Sequence, residues 1–542
     1  MYSWAHHVGL HLFEGVLVVL NLSNGAGVPS SSTIDRLGRV QRQSLPVLLG
    51  NFAVILAELA SSNHLGLQLS SSRWGAATSS SEILQLLRRT GVDDLKLTSY
   101  IGGISLTADC FPLTEASTAD ALAPRPVLTP IRIRVWANHN TAAEPVSGIW
   151  AAAPPGMRFD LTASGSWRAA SGLCSALLNG LQNARQHDSL VSCVDAEPIP
   201  DLGHVANLFY VAEWEEAEAV AAVHGLRESL READPWLDSA DVQVCAGSTT
   251  VHCLLVPHPE RPSLVYLAGT YFNPPKQEVQ WYWNALRMTL QEATSLSQGF
   301  VQAAYVKYHI GLDVPVLQPS CQYMDRSVKY IPASGDVEVV VWTRLPPLLP
   351  FWFEFELWWR RFRLRDSFSA RALHITFKEG FASWEVFASF GAVILYPHAL
   401  SLTSLGELVH LEMPIFVPHP DVFWDKIVQT LHIHRRHFWA LHAIPAGTGS
   451  LNLPGDIPRP HIGDEQVDSV ASAQYWYSCF SDFGSRASHF VQHWRSYPEL
   501  LYMLHKLDFD ELSTAVAKEK ERRVRFSNTV YATVLAKLIG HV

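Results

Sequence analysis

Between Ala392 and Pro418 the apolar positions fall into two solid runs separated by a polar elbow and a mixed stretch. Ala392 to Leu395 is continuously apolar, and Ser401, Thr403 and Ser404 form the elbow. Glu407 opens a helical stretch, and Pro414 to Val417 is the second apolar run. Short unbroken apolar runs fit strands buried on both faces. The pattern therefore predicts a strand, turn, helix and strand of an α/β sheet, in which ligands sit at the carboxyl ends of the strands.

The same patterning recurs upstream. Val337 to Trp342 is a β-branched run broken only by Glu338, preceded by a Gly335-Asp336 turn, and it predicts another doubly buried strand. Ala372 to Phe377 reads as a strand and Glu379 to Ser389 as a helix leading into Ala392. Earlier, Val242 to Cys245 and Leu264 to Ala268 predict strands, and Glu278 to Thr294 predicts a helix. Strands alternating with helices at this spacing make a doubly wound sheet.

Ala212 to Glu232 reads as a helix with acids early and arginines late, as the macrodipole favours. Ile131 to Val135 alternates as a half-buried strand inside the Ala- and Pro-rich text of residues 121–155. Further upstream, Gly15 to Leu20 suggests a strand and Leu45 to Ala60 a helix. The tail, Leu500 to Leu538, predicts two helices broken near Asn528.

A chain of 542 residues exceeds one ordinary core. The division read here places residues 1–200 as the less defined start of a first α/β domain and residues 201–334 as its remainder. A second α/β domain follows over 335–500, with terminal helices over 501–542. An apolar share of 48% and a charged share of 17% describe a core-rich globular protein. The net charge of −10 and the lack of long Lys/Arg blocks give no footprint for nucleic acid. The basic text Trp359 to Arg365 reads as a surface helix or linker edge.

Seven cysteines are scattered without CxxC pairing, so neither a zinc ribbon nor a disulfide framework is expected, and the odd count leaves a thiol unpaired within the chain. No run reaches the roughly eighteen apolar residues of a membrane helix. Val8 to Leu22 is interrupted by His11 and Glu14, and Leu345 to Trp359 by three prolines and two glutamates. The start lacks a basic leader region. The expectation is a soluble protein of the cytoplasm, or of the secretory-pathway lumen if a targeting segment is missing. His432, His434 and His437 have arginines between them and no local carboxylate or cysteine partner, so they read as helix or loop rather than as a metal site. The aromatic text Phe351 to Trp359 reads as a packed junction, with a sugar platform or partner surface as the alternative.

Several short motifs occur in an order that resembles a widespread, uncharacterised family of eukaryotic glycosyltransferase-like proteins. They are Cys245-Ala246-Gly247-Ser248, Leu264 to Thr270, Trp281 to Leu286, Tyr305 to Gly311, and Gln318-Pro319-Ser320-Cys321-Gln322-Tyr323. The carboxyl half adds Tyr475-Trp476-Tyr477 and Ser481-Asp482-Phe483. The resemblance implies a GT-B-like fold, α/β with two Rossmann-like domains facing each other across a cleft. It also implies transfer of a sugar from a nucleotide-sugar donor, bound as substrate with no cofactor and no metal, to a carbohydrate or glycan acceptor.

In donor domains that look like this one, an acid begins the helix after a strand and a proline follows seven positions later, as Glu407 and Pro414 do. The resemblance implies that Glu407 accepts hydrogen bonds from the nucleotide ribose. The helix amino terminus would offer N–H groups and positive potential to the diphosphate. Ser401, Thr403 and Ser404 would add hydroxyls, with Ser404 as N-cap, and Arg344, just past the Val337 strand, would neutralise departing charge. Ser248 and His252, after the Cys245 strand, stand on the acceptor side as candidate catalytic groups.

The chain also departs from the family. Gly247-Ser248 replaces a His-Pro turn, the Trp-Pro-His-Ile after Asp-Phe is missing, and Ala399 stands where retaining members place a second acid. Two readings therefore stand: an active transferase, or a catalytically degenerate GT-B-like binding or structural partner protein.

Overall fold

A computed structural model of the protein describes residues 113–117, 129–137, 142–164, 190–195, 239–246, 261–268, 280–331, 337–343, 355–360, 373–379, 383–397, 402–419, 478–484 and 489–540, with single positions between them. The chain divides into two compact units, Met1–Ala76 and Ala77–Val542, and the described residues all belong to the second. The expected strand at Gly15 and helix at Leu45 lie outside them, as does most of the helix expected over Ala212 to Glu232.

Two all-parallel sheets build this unit. In the first, β1 (Ile131–Ala137) is followed by α1 (Ala143–Ala151), β2 (Phe159–Ser164), β3 (Leu190–Asp195), β4 (Val242–Ala246), β5 (Ser263–Leu267), α2 (Gln280–Glu292), β6 (Thr294–Ser297) and α3 (Phe300–Ile310). Its strands lie in the order β3-β2-β1-β4-β5-β6. The second sheet takes β7 (Val337–Thr343), β8 (Leu373–Glu379), β9 (Ala392–Leu395), β10 (Ile415–Pro418) and β11 (Val491–Trp494) in the order β11-β10-β9-β7-β8. Helices α4 (Trp384–Ala388), α5 (Thr403–His410), α6 (Tyr497–Lys506) and α7 (Phe509–Ile539) accompany it. The protein is thus α/β with two Rossmann-like domains. Strand order reverses between β1 and β4 in one sheet and between β7 and β9 in the other, and such switch points open crevices at the strands' carboxyl ends.

The apolar runs explain the second sheet. All four residues of β9 and of β10 are buried, and in β7 Glu338 reaches the exterior, where its carboxylate accepts the Thr376 hydroxyl at 2.5 Å. β1, expected to alternate, is buried on both faces past its start. Ile131, Ile133 and Val135 enter the core, Arg134 and Trp136 are buried on the opposite face, and Arg132 pairs with Asp241 at 2.9 Å. Phe355, from the aromatic text read as a junction, is buried with its ring against Tyr497.

The tail differs from its expected form. The break falls at Leu507 and Asp508, where the Asp508 carboxylate accepts the N–H groups of Asp510 and Glu511 and caps α7. Asn528 lies inside α7, because its side chain is taken up by Gln322 at 2.8 Å instead of competing for the helix backbone. At 31 residues α7 spans about 46 Å. Near its start the Phe509 ring meets Phe416 of β10, and Lys520 pairs with Glu412 at 2.7 Å. Near its end Tyr531 packs on Gly148 of α1. One helix therefore braces both sheets.

The cysteine expectation is also corrected. Cys174 and Cys193 form a disulfide with Cα atoms 5.6 Å apart, and Cys245 and Cys479 each take part in a disulfide of their own. Sequence spacing hid this because β3 brings Cys193 back to Cys174 through tertiary structure. The buried Cys321 keeps a free thiol. Among the described residues no helix is long and apolar enough to cross a membrane.

Candidate functional site

The chain leaves β9 at the carboxyl edge of the second sheet, beside its switch point, and enters α5. Leu402 stands at the N-cap in extended geometry (φ −130°, ψ 112°) and is buried. Its own side chain cannot cap. Instead the Asp482 carboxylate accepts the Leu402 N–H at 2.9 Å and fixes the entry to the helix. This moves the start of α5 ahead of its expected place. Ser404 is the second helical residue and not the N-cap, and Glu407 lies in the second turn, with no acid in the first.

α5 is held by residues of the first domain and of the segment that follows it. The Thr403 hydroxyl oxygen accepts from Gln298 Nε2 at 3.1 Å, and Gln298 follows β6 with its own N–H bonded to Leu267 O. The Tyr323 hydroxyl donates to Glu407 Oε1 at 2.7 Å. Burial, followed by the neighbouring Cys321 and Glu407, pushes the Tyr323 hydroxyl far above its ordinary range, so it remains a donor. Gly406 lets the helix approach: a Cβ there would lie 2.9 Å from Cys321 Sγ and 3.0 Å from Pro319 Cβ.

The segment touched by α5, Leu317 to Tyr323, is tied on every side. From the first domain, Ser297 O accepts the Leu317 N–H at 2.8 Å, and Glu144 of α1 accepts the N–H groups of Ser320 and Cys321, each at 2.8 Å, and the Ser320 hydroxyl at 2.9 Å. From α5, His410 Nδ1 lies 3.2 Å from Ser320 O; burial lowers this histidine to about 4, so the neutral ring donates. From α7, Arg523 reaches Pro319 O and Gln322 reaches Asn528. Cys321 adopts φ +51° within this frame, a left-handed conformation unusual for a side-chain-bearing residue.

Of the residues expected at the site, Thr403, Ser404 and Glu407 come together on α5, while Ser401, Arg344, Ser248, His252 and the His432 cluster lie outside the described residues. Among the described residues no group of His, Cys, Asp and Glu could hold a metal ion. The sequence reading missed Asp482, Tyr323, Gln298 and Glu144 as site-builders. Asp482 and Tyr323 stand inside quoted motifs, but nothing local assigned them a partner.

Replacing Asp482 with alanine removes the acceptor at the α5 entry and is expected to cost about 1–2 kcal/mol. A urea midpoint unchanged from wild type would remove the capping role.

No protein-family model matches the chain, and no curated protein does. Among solved structures, it is similar to the calicheamicin glycosyltransferase CalG4 at 12% identity and a TM-score of 0.35, covering 76% of this chain and 98% of that one. It is similar to the glycosyltransferase SnogD from Streptomyces nogalater at 11% and 0.33, covering 76% and 100%. A UDP-glucosyltransferase from Polygonum tinctorium gives 9% and 0.37, covering 76% and 99%. At such identities and TM-scores these likenesses carry no weight for function, and the fold assignment stands on the two parallel sheets themselves.

Proposed function

We propose that the protein transfers a sugar from a nucleotide-sugar donor to a carbohydrate or glycan acceptor, with α5 as the donor-binding helix. The observation that carries this reading is the placement of α5. It follows β9 at the switch point of a parallel sheet, with Glu407 held by Tyr323 where the two domains meet. The sequence motifs quoted above support the same reading independently.

In this reading Glu407 accepts the ribose hydroxyls, and the first N–H groups of α5 with Ser401, Thr403, Ser404 and Arg344 bind the diphosphate. The acceptor hydroxyl attacks the anomeric carbon, and the bond from that carbon to the diphosphate oxygen breaks. The hydroxyl proton passes to His252 or Ser248 as the acceptor-side base, and the nucleoside diphosphate carries away the bonding pair. Charge neutralisation by side chains and helix makes a metal unnecessary. The disulfides support the secretory-pathway lumen as the compartment. Ala399, in place of a second acid, favours a second reading in which the donor binds and no sugar is transferred.

Calorimetric titration with the uridine, guanosine, adenosine and cytidine diphosphates tests this on wild type and on Glu407→Gln. Wild type is expected to bind at least one of them, and the variant to bind it about 10- to 100-fold more weakly, as for hydrogen bonds to a charged group. No heat from any nucleotide would sink the reading. Binding without hydrolysis or transfer of the matching nucleotide sugar would select the non-catalytic one.

A further inference from the structure

We infer that Tyr323 is a positioning residue for the donor ribose, acting through Glu407; this deepens the proposed function and rests on it. A glutamate side chain loses about 1.5–2 kcal/mol of rotamer freedom when fixed. A carboxylate that must meet two ribose hydroxyls is therefore more effective when already oriented. Tyr323 supplies that orientation at 2.7 Å, a short charge-assisted bond. A carboxylate has about four acceptor positions, so a bond from tyrosine can orient Glu407 while the group goes on accepting.

The hydroxyl is itself well anchored. The ring is 9% exposed. Two residues before it, the backbone turns through the left-handed Cys321, whose N–H and that of Ser320 are both held by the Glu144 carboxylate. Gly406 lies against Cys321 and Pro319, one residue before Glu407 in α5. The distance between the tyrosine's anchor and the glutamate's helix is thereby set by direct contact. Residues of the first domain thus reach Glu407 through this segment, beside the direct Gln298–Thr403 bond to the start of α5, which ties acceptor-side structure to donor-side geometry.

The test uses the full-length protein and titrates each of the four ribonucleoside diphosphates and its 2′,3′-dideoxy counterpart into wild type, Tyr323→Phe, Glu407→Gln and the double variant. For whichever base binds, Tyr323→Phe is expected to weaken the ribonucleotide about tenfold. It should leave the dideoxynucleotide within about twofold. The double variant should bind no more weakly than Glu407→Gln alone. An equal loss on both sugars would make Tyr323 merely structural and overturn the inference. So would wild-type affinity in Tyr323→Phe when Glu407→Gln is impaired. If Glu407→Gln binds ribonucleotides as wild type does, or if no nucleotide binds wild type, the donor-site reading itself fails, and the inference with it.

Discussion

Replacing Glu144 with alanine is expected to destabilise the protein by about 3–5 kcal/mol, as for the loss of one partner from a buried charged network. The Glu144 carboxylate is 1% exposed and accepts three hydrogen bonds from Ser320 and Cys321. Without it, two backbone N–H groups lose their acceptor in a place closed to solvent, at about 1–3 kcal/mol each. The Ser320 hydroxyl keeps Ser527 Oγ as an acceptor at 3.1 Å, whereas Arg523 brings only donors, so the loss falls on the two N–H groups. Because the same segment carries Tyr323, the variant should also weaken nucleotide binding. Urea unfolding reads the first effect, and a loss below about 1 kcal/mol would show that the segment is held by packing alone.

Glu144 also predicts a direction for pH dependence. Burial, outweighing the bonds from Ser320 and Cys321 and the nearby Arg523, raises its pKa above the ordinary value of 4.5. The folded protein therefore retains a proton there that the unfolded chain has already released. Stability from this group is complete below 4.5 and falls as pH rises through the folded value. Glu519 has the opposite sign. Burial works against its charge, but Arg522 and Arg523 prevail and hold it down to about 2, so its contribution is present above 4.5 and lost as pH falls through 2. The difference between wild type and Glu144→Gln across pH isolates the first group, and wild type should lose its advantage as pH rises above 4.5. A flat difference would refute the raised pKa.

The parts of the fold that could be read in the sequence are those whose causes are local. β7, β9 and β10 announce themselves because a strand buried on both faces has nothing to hide among its residues, and their bounds follow the apolar runs closely. β6 gives no strand signal because its text, Thr-Ser-Leu-Ser, is polar, and the helix expected over Glu278 to Thr294 reaches only its first residue. Two of its hydroxyls are satisfied close by, Ser295 on Leu290 O and Ser297 on Gly299 O. β11 was missed for a similar reason: Gln492 and His493 interrupt its apolar ends, and His493 bonds to Phe483 O.

At the site the division is the same. Glu407 was found from its motif, whereas the start of its helix was misplaced because the capping carboxylate comes from 80 residues further on. Glu144 gave no signal, since its partners lie 176 and 177 residues away and its local context is an ordinary first-turn acid. The Cys174–Cys193 pair was invisible for want of any spacing rule. What no local pattern carries is the pairing of distant polar groups, and at this site distant pairs orient the elements that local patterns predict.

Gly148→Ala is expected to destabilise the protein by about 3 kcal/mol, at the upper end for an overpacked core, although the exchange favours an isolated helix by about 1 kcal/mol. An alanine Cβ at this position would stand 2.1 and 2.2 Å from two carbons of the Tyr531 ring. The ring is fully buried, so the clash cannot be relieved by a side chain swinging into solvent. Either α1 or the end of α7 must move, and a moving α1 would carry Glu144 with it. Loss of stability should therefore come with easier proteolysis within the carboxyl half of α7, where the helix docks on the first domain. Tyr531→Leu supplies the control. It costs stability by itself, but in that background Gly148→Ala should be nearly neutral or stabilising, because the clash is gone and the helix preference remains. Equal destabilisation by Gly148→Ala in both backgrounds would place the fault elsewhere in α1. A Gly148→Ala protein as stable as wild type would mean that α7 does not rest on α1 at this point.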